Sequence, residues 1–308
     1  NRSSDLWVSF TAHLALKHSL PIYKVGSRTE SKQRPYGYGA TYRNVGISDL
    51  PSTPIVITAI DKNYYDILQH FPDGTYVVIH DPSEVTKKTS HILLEQLRRF
   101  RIITIRESVQ TYLRTNYGLE SRCFLHPFYA YPYERTECPT KAVSISRIDY
   151  DKHTGIILEA NRKLEKPIEL HGAVNLRYVF HKLDDTEFKA AYRGKFDKTF
   201  AALSSILKDT KWVVDMSVIK ADGGGSQYCF LEAIHHGCAL VLNSRWIEGR
   251  PTQFVHGQNC YVVKDGEELL GVLEIEDVSG VVERAKALLQ PHIDVDWLAL
   301  MTAMDPPK

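Results

Sequence analysis

The chain has 308 residues, 43% of them hydrophobic and 24% charged, with a formal net charge of +1. That length accommodates two domains of about 150 residues, and the composition is that of a soluble globular protein. No apolar run approaches the roughly 20 residues needed to cross a bilayer, which excludes a bundle of membrane helices.

Charge is not spread evenly. Residues 1–140 carry 17 Lys+Arg against 13 Asp+Glu, and the remainder 21 against 24. This mild asymmetry permits an anionic partner on the first half and equally describes an ordinary solvated surface. The five cysteines, Cys123, Cys138, Cys229, Cys238 and Cys260, are odd in number and form no C-x-x-C pair. They read as structural thiols in a reducing, cytoplasmic setting, without a disulfide framework or zinc site. The opening NRSSDLWVSF has no initiator Met and no charged-then-apolar leader, so the true start is expected to be missing.

In chain order, residues 5–19 place Leu6, Phe10, Leu14 and Ala15 at helical spacing, and LPIYKVGS (20–27) is the next strand. Residues 30–44, ESKQRPYGYGATYRN, have no clear period and read as a long loop. PIVITAI (54–60) suits a buried parallel strand. NYYDILQHF predicts a short helix, YVVIH a strand, SHILLEQLRRF (90–100) an amphipathic helix and RIITI (101–105) a strand. SVQTYLRTNYG (108–118) is a helix ending at Gly118, and RCFLHPF (122–128) is a strand.

The aperiodic YAYPYERTECPT (129–140) marks a boundary. The rhythm then restarts with KAVSISR as a strand, HTGIILEANRKL as a helix and IELHGA as a strand. TFAALSSILK is a helix, KWVVDMS, ALVLN and CYVVK are strands, and SGVVERAKALLQ is a closing helix. The economical architecture is two facing, doubly wound Rossmann-like α/β domains with a central cleft. The expected divisions are a first Rossmann-like domain over 1–135, a second over 136–290 and a tail over 291–308.

Three stretches carry candidate chemistry. In TYVVIHDPSEV (75–85) an apolar strand ends on His80-Asp81, beside a turn that Pro82 and Ser83 explain without any function. In VSISRIDYDKHTGII (143–157), Arg147 and Lys152 come after a strand at a helix entrance. A guanidinium fork, a mobile ammonium and helix N-terminal amides together suit a diphosphate. Two plain surface charges fit those residues equally well. In ADGGGSQYCFLEAIHHGCALVLN (221–243), a glycine run succeeds a strand and allows backbone amides close approach to a ligand. Glu232 lies on the next helix, where a carboxylate could hold ribose hydroxyls or simply be solvated.

The last two stretches, in this order and spacing, resemble the second domain of glycosyltransferases of the GT-B class, above all the retaining family 4. The resemblance implies that Arg147 and Lys152 hold the donor diphosphate and that Glu232 binds the donor ribose. Residues 192–217 and 106–128 are also similar to family segments. The family carries a further Glu eight residues before Glu232, where this chain has Gly224. The loop residues Asp222, Gly223, Gly224, Gly225, Ser226 and Gln227 are then the candidates for the sugar and phosphate contacts.

The family's His after a first-domain strand matches His80. That match implies a sugar contact, with Asp81 orienting the ring or helping deprotonate the acceptor. The His-Asp pair also resembles that of phage DNA α-glucosyltransferases. The resemblance implies transfer of a hexose from a UDP- or GDP-linked donor to a hydroxyl, with retention. No metal-ligand cluster of the usual spacing appears, so stabilisation by side chains is expected in place of a metal or other cofactor, and the chain is expected to be a monomer. The acceptor is a carbohydrate, lipid or small molecule, or alternatively a hydroxymethylated base of DNA. A non-catalytic nucleotide-sugar binder is the reading outside the enzymes. Arg28, Arg34 and Arg43, interleaved with Tyr36 and Tyr38, are the candidate acceptor contacts. Those tyrosines fit packing onto the first domain equally well.

Overall fold

Apolar runs such as YVVI (76–79) and ALVL (239–242) are buried along their whole length, and such runs pair in parallel only when helices cover them. The run expected to be a buried strand over 54–60 is instead half-buried and gives a strand of two residues, Val56–Ile57. The computed structural model describes residues 4–304 except 53, 61–64 and 87–89, and of residues 4–6 and 90 only the backbone. It forms two units, Asn1–Tyr129 with His292–Lys308, and Ala130–Pro291.

The first unit opens with α1 (Ser4–His18), then β1 (Ile22–Gly26), β2 (Arg34–Gly37) and β3 (Ala40–Gly46). These strands make a three-stranded sheet in the order β1-β3-β2, with β3 parallel to β1 and antiparallel to β2. Next come β4 (Val56–Ile57), β5 (Tyr76–Ile79), α2 (Ser90–Leu97), β6 (Arg101–Thr104), α3 (Glu107–Tyr117) and β7 (Arg122–Cys123). They build a parallel sheet in the order β4-β5-β6-β7. Its core combines Val77, Ile79 and Ile102 with Leu93, Leu97, Val109 and Leu113 from α2 and α3. Gly118, with φ +61°, ends α3 in the left-handed conformation expected of it.

Residues 30–44 are not a loop. Gly37 pairs with Ala40, and Tyr38 and Gly39 between them have φ of +53° and +80°. This is the two-residue turn whose positive dihedrals match strand twist, so β2 and β3 form a tight hairpin. A tyrosine at the first turn position concealed it, since Asn or Gly is the usual signal. NYYDILQHF becomes a 3-10 helix over Tyr65–His70, with its first residues outside the described set. The strand expected over 122–128 shrinks to the two residues of β7.

The second unit contains β8 (Lys141–Ile145), α4 (Thr154–Asn161), β9 (Glu169–His171), α5 (Leu176–Lys182), α6 (Asp185–Ala191) and β10 (Tyr192–Gly194). It continues with α7 (Phe200–Leu207), β11 (Thr210–Asp215), α8 (Tyr228–His235), β12 (Ala239–Asn243), α9 (Ser244–Ile247), β13 (Tyr261–Val263) and α10 (Gly266–Leu273). The segment α5, α6 and β10, together with α9 and α10, has no counterpart in the sequence reading. The sheet runs β10-β9-β8-β11-β12-β13, all parallel. Counted within the unit this is the order 3-2-1-4-5-6 of a dinucleotide-binding fold, whose winding reverses between β8 and β11.

Helix α11 (Ser279–Asp294) contains the second boundary between the units, and α12 (Trp297–Thr302) belongs to the first. Within the expected tail, α12 is therefore part of the first unit's core. Trp297 is fully buried, edge-on to both Phe10 and Phe124 at ring-centroid distances of 5.2 Å, and its indole donates to Leu125 O. Tyr76 donates its hydroxyl proton to Met301 O. No helix of the described residues is long and apolar enough to cross a membrane.

Candidate active site

Ligands of open α/β sheets bind outside the carboxyl ends of the strands, where the winding reverses. In the second unit that place lies after β8 and β11. Residues 146–153 leave β8, and Asp149 caps a 3-10 turn over Tyr150–Lys152 by accepting from Tyr150 N. The Asp149 carboxylate also accepts from Asn175 Nδ2, and Val218 N donates to Asp151 O, tying the two loops together.

This scaffold buries Lys152, which is 8% exposed. Its Nζ donates to Ser217 Oγ at 2.6 Å and to Gln227 Oε1 at 3.2 Å, with Asp215 Oδ2 at 4.0 Å. Arg147 is half-buried, its guanidinium paired with Asp149 at 3.3 Å and Asp151 at 3.0 Å. Partly exposed pairs of this kind are worth about 0–1 kcal/mol, so a phosphate could displace the carboxylates at little cost. His153 comes next with φ +42°, its pKa lowered by burial and then by the Arg245 guanidinium at the start of α9. Arg147, Lys152 and Arg245 thus all lie around the ends of β8, β11 and β12.

The glycine run is built against backbone as much as toward any ligand. Gly223 N donates to the Asp222 side chain, and Gly224 N donates to Trp246 O at 2.7 Å. A Cβ at Gly223 would stand 2.4 Å from Trp246 O, and one at Gly224 would stand 2.3 Å from Pro251 O. The indole of Trp246 donates to Gly225 O. Asp222 is 2% exposed and turns into this loop. Ser226 is half-buried. Gln227 is the N-cap residue of α8, and its buried Nε2 has no hydrogen-bond partner among the described residues, leaving a donor beside Lys152.

Glu232 lies on α8 and is 5% exposed. Its carboxylate accepts from the Tyr131 hydroxyl, and Tyr131 stacks on Phe200 with centroids 3.8 Å apart. It is not a solvated helix residue, and in this state tyrosine occupies the carboxylate.

In the first unit His80 ends β5 and is fully buried, its ring edge-on to Phe10 at 4.9 Å. Nε2 lies 2.8 Å from Thr58 O and so carries the proton, while Nδ1 has no partner among the described residues. Burial lowers the His80 pKa to about 4, so the ring is neutral at physiological pH. Asp81 does not orient it: its Oδ1 accepts from Ser83 N and caps the 3-10 turn Pro82–Glu84. The turn explanation holds for Asp81, Pro82 and Ser83.

The candidate acceptor residues separate by side chain. Tyr38 is buried, with the Ser9 hydroxyl donating to its oxygen, and Tyr36 is hydrogen-bonded to Thr11 with its pKa raised by burial. Both tyrosines pack onto α1. Arg28 and Arg34 are exposed and flank Glu30, while Arg43 is exposed on β3.

Lys152 and Gln227, candidates from two separate stretches of the sequence, meet in the structure. Asp215, Ser217, Tyr131 and Arg245 were missed. Asp215 had a visible signal, a carboxylate closing the apolar run KWVVD, the same pattern that marked His80-Asp81.

No protein-family profile matches the chain, and no curated protein sequence matches it. Solved structures do. An alpha-glucosyltransferase in complex with UDP-glucose and DNA containing an abasic site superposes over 96% of each chain, with a TM-score of 0.67 at 13% identity. Anabaena HepE in complex with UDP-glucose matches 79% of this chain and 75% of its own, with a TM-score of 0.59 at 14% identity. TarM, known from S. aureus, matches 78% of this chain with a TM-score of 0.55 at 16% identity, and this chain spans about half (53%) of TarM's length. These likenesses show the fold: the chain has the two Rossmann-like units of the GT-B glycosyltransferases.

Proposed function

We propose that the chain is a nucleotide-sugar glycosyltransferase that takes a UDP-linked hexose, in the manner of retaining family 4. The observation that carries this reading is the placement of Lys152, the Gln227 amide donor and Arg147 at the winding reversal of the second unit's sheet. Charge-assisted hydrogen bonds from a lysine and an arginine suit a diphosphate, and they stabilise it most as it leaves. Glu232 would bind the ribose once Tyr131 gives it up. In the first unit, Nδ1 of His80 is an unprotonated acceptor suited to a sugar hydroxyl. Transfer is proposed to retain configuration and to need no metal. The five free thiols fit a cytoplasmic setting. A thermal-shift series with UDP-glucose tests the donor: ten- and hundredfold excess over Kd should raise Tm in proportion to RT ln(1 + [L]/Kd). A flat response to every nucleotide sugar would sink it.

A second reading concerns the acceptor. Among the three likenesses, the structure containing DNA covers both chains almost end to end. Exposed Arg28, Arg34 and Arg43 supply candidate phosphate contacts on the first unit. We therefore favour a hydroxymethylated base in duplex DNA, extruded for reaction, as the acceptor. Labelled glucose from UDP-glucose should enter hydroxymethylcytosine DNA and not unmodified DNA. Turnover on carbohydrate acceptors alone would refute the DNA reading. Absence of both transfer and donor hydrolysis in a protein that binds the donor would identify a sensor instead.

A further inference from the structure

We propose that Asp215 is the positioning residue of the phosphate-binding lysine, acting on the donor only through Lys152. The inference rests on the donor-site reading above. Asp215 closes β11 and its side chain is 2% exposed, against 9% for Lys152. Its Oδ1 accepts from Ser217 N at 2.9 Å, which fixes the residue whose hydroxyl in turn accepts from Lys152 Nζ. Its Oδ2 accepts from Cys229 Sγ at 3.3 Å and faces the ammonium at 4.0 Å.

Proton counting assigns the roles. An ammonium has three donors and no acceptor. Ser217 Oγ and Gln227 Oε1 take two, and among the described residues nothing takes the third, which is left for an anion. Both acceptors are neutral. A buried cation held only by neutral groups sheds its proton or swings out to water, because burial of an unbalanced charge is strongly unfavourable. Asp215 supplies the balancing charge and leaves the donors alone. The other ionisable groups nearby are Cys229 on α8, whose thiol pKa is raised by burial and then by Asp215, His153, and Arg147 with its own carboxylate partners. None of them can replace the Asp215 charge. Asp215 cannot itself serve the phosphate, being anionic and occupied at both oxygens.

Titration calorimetry with UDP on four proteins tests this: wild type, Asp215→Asn, Lys152→Met and the double variant. Asn keeps an acceptor for Ser217 N, removes the charge and replaces the oxygen facing the ammonium with an NH2 donor. Each single variant is expected to weaken UDP binding about tenfold, the scale of one charged hydrogen bond. The double variant should be within about twofold of Lys152→Met, because a group acting through another has nothing left to act on. Asp215→Glu, which keeps the charge, should recover most of the affinity. Additive losses, or undiminished affinity in Asp215→Asn, would overturn the role of Asp215 while leaving the donor site intact. A folded wild type that binds neither UDP nor UDP-glucose would overturn both. If Asp215→Asn does not fold, Asp215→Ser takes its place in the same cycle.

Discussion

Gly224 stands where the resembling family has a glutamate, and its surroundings explain why no side chain is tolerated. Its φ of +80° disfavours any L-residue, and the added Cβ would meet Pro251 O at 2.3 Å and Arg250 Cβ at 2.9 Å. Gly224→Ala is expected to cost about 1–3 kcal/mol from the dihedral alone. At about 2–4 °C per kcal/mol this is visible in a thermal melt of the second unit. A melt unchanged from wild type would show that the loop repacks. Asp222, two residues earlier, accepts from Gly223 N within the same turn. Lys152 is legible as a candidate because a lysine after a strand is a local feature. Asp215 was missed because the importance of that carboxylate depends on a lysine 63 positions away in the chain.

The hairpin β2–β3 sends its aromatic and basic side chains to different surroundings. Residues at alternate positions of β3 face opposite ways, so Thr41 and Arg43 are exposed while Ala40 is buried and Tyr42 half-buried. Aromatic and basic residues that look interleaved in sequence therefore separate in space. Removing Arg28, Arg34 and Arg43 together should weaken duplex DNA binding and lower the slope of log K against log salt by roughly one for each phosphate no longer neutralised. Tyr38→Ala should instead lower Tm by removing packing against α1. An unchanged salt slope in the triple variant would remove the hairpin from the DNA-binding surface. The element itself was hidden by its turn, since Tyr38 adopts a positive φ without being glycine or asparagine. The tyrosine is held there by its own burial against α1, which is a tertiary interaction.

At the scale of the molecule, the first unit depends on histidines kept neutral. His80, His126 and His292 are all buried, in a unit whose core includes Phe10, Phe128 and Trp297. Burial lowers the pKa of His80 to about 4 and pushes those of His126 and His292 down as well, with Arg106 adding to the first two. The unfolded chain takes up these protons near pH 6.5 and the folded chain does not. Stability is therefore full above about pH 6.5 and falls as pH drops toward 4. His80 alone accounts for about 3 kcal/mol of that decline. Urea midpoints measured from pH 7.5 to 4.5 should decline steeply in wild type and less so in His80→Gln. Equal slopes would show that His80 is protonated in the fold. The parallel strands and the two-unit α/β plan were legible in the sequence, because burial pattern is written in neighbouring positions. Only the tertiary structure decided the 3-2-1-4-5-6 order, the return of α12 to the first unit, the Tyr131 hold on Glu232 and the Asp215–Lys152 pairing. Each of those joins residues distant in the chain, and which distant surfaces meet is settled by packing rather than by local preference.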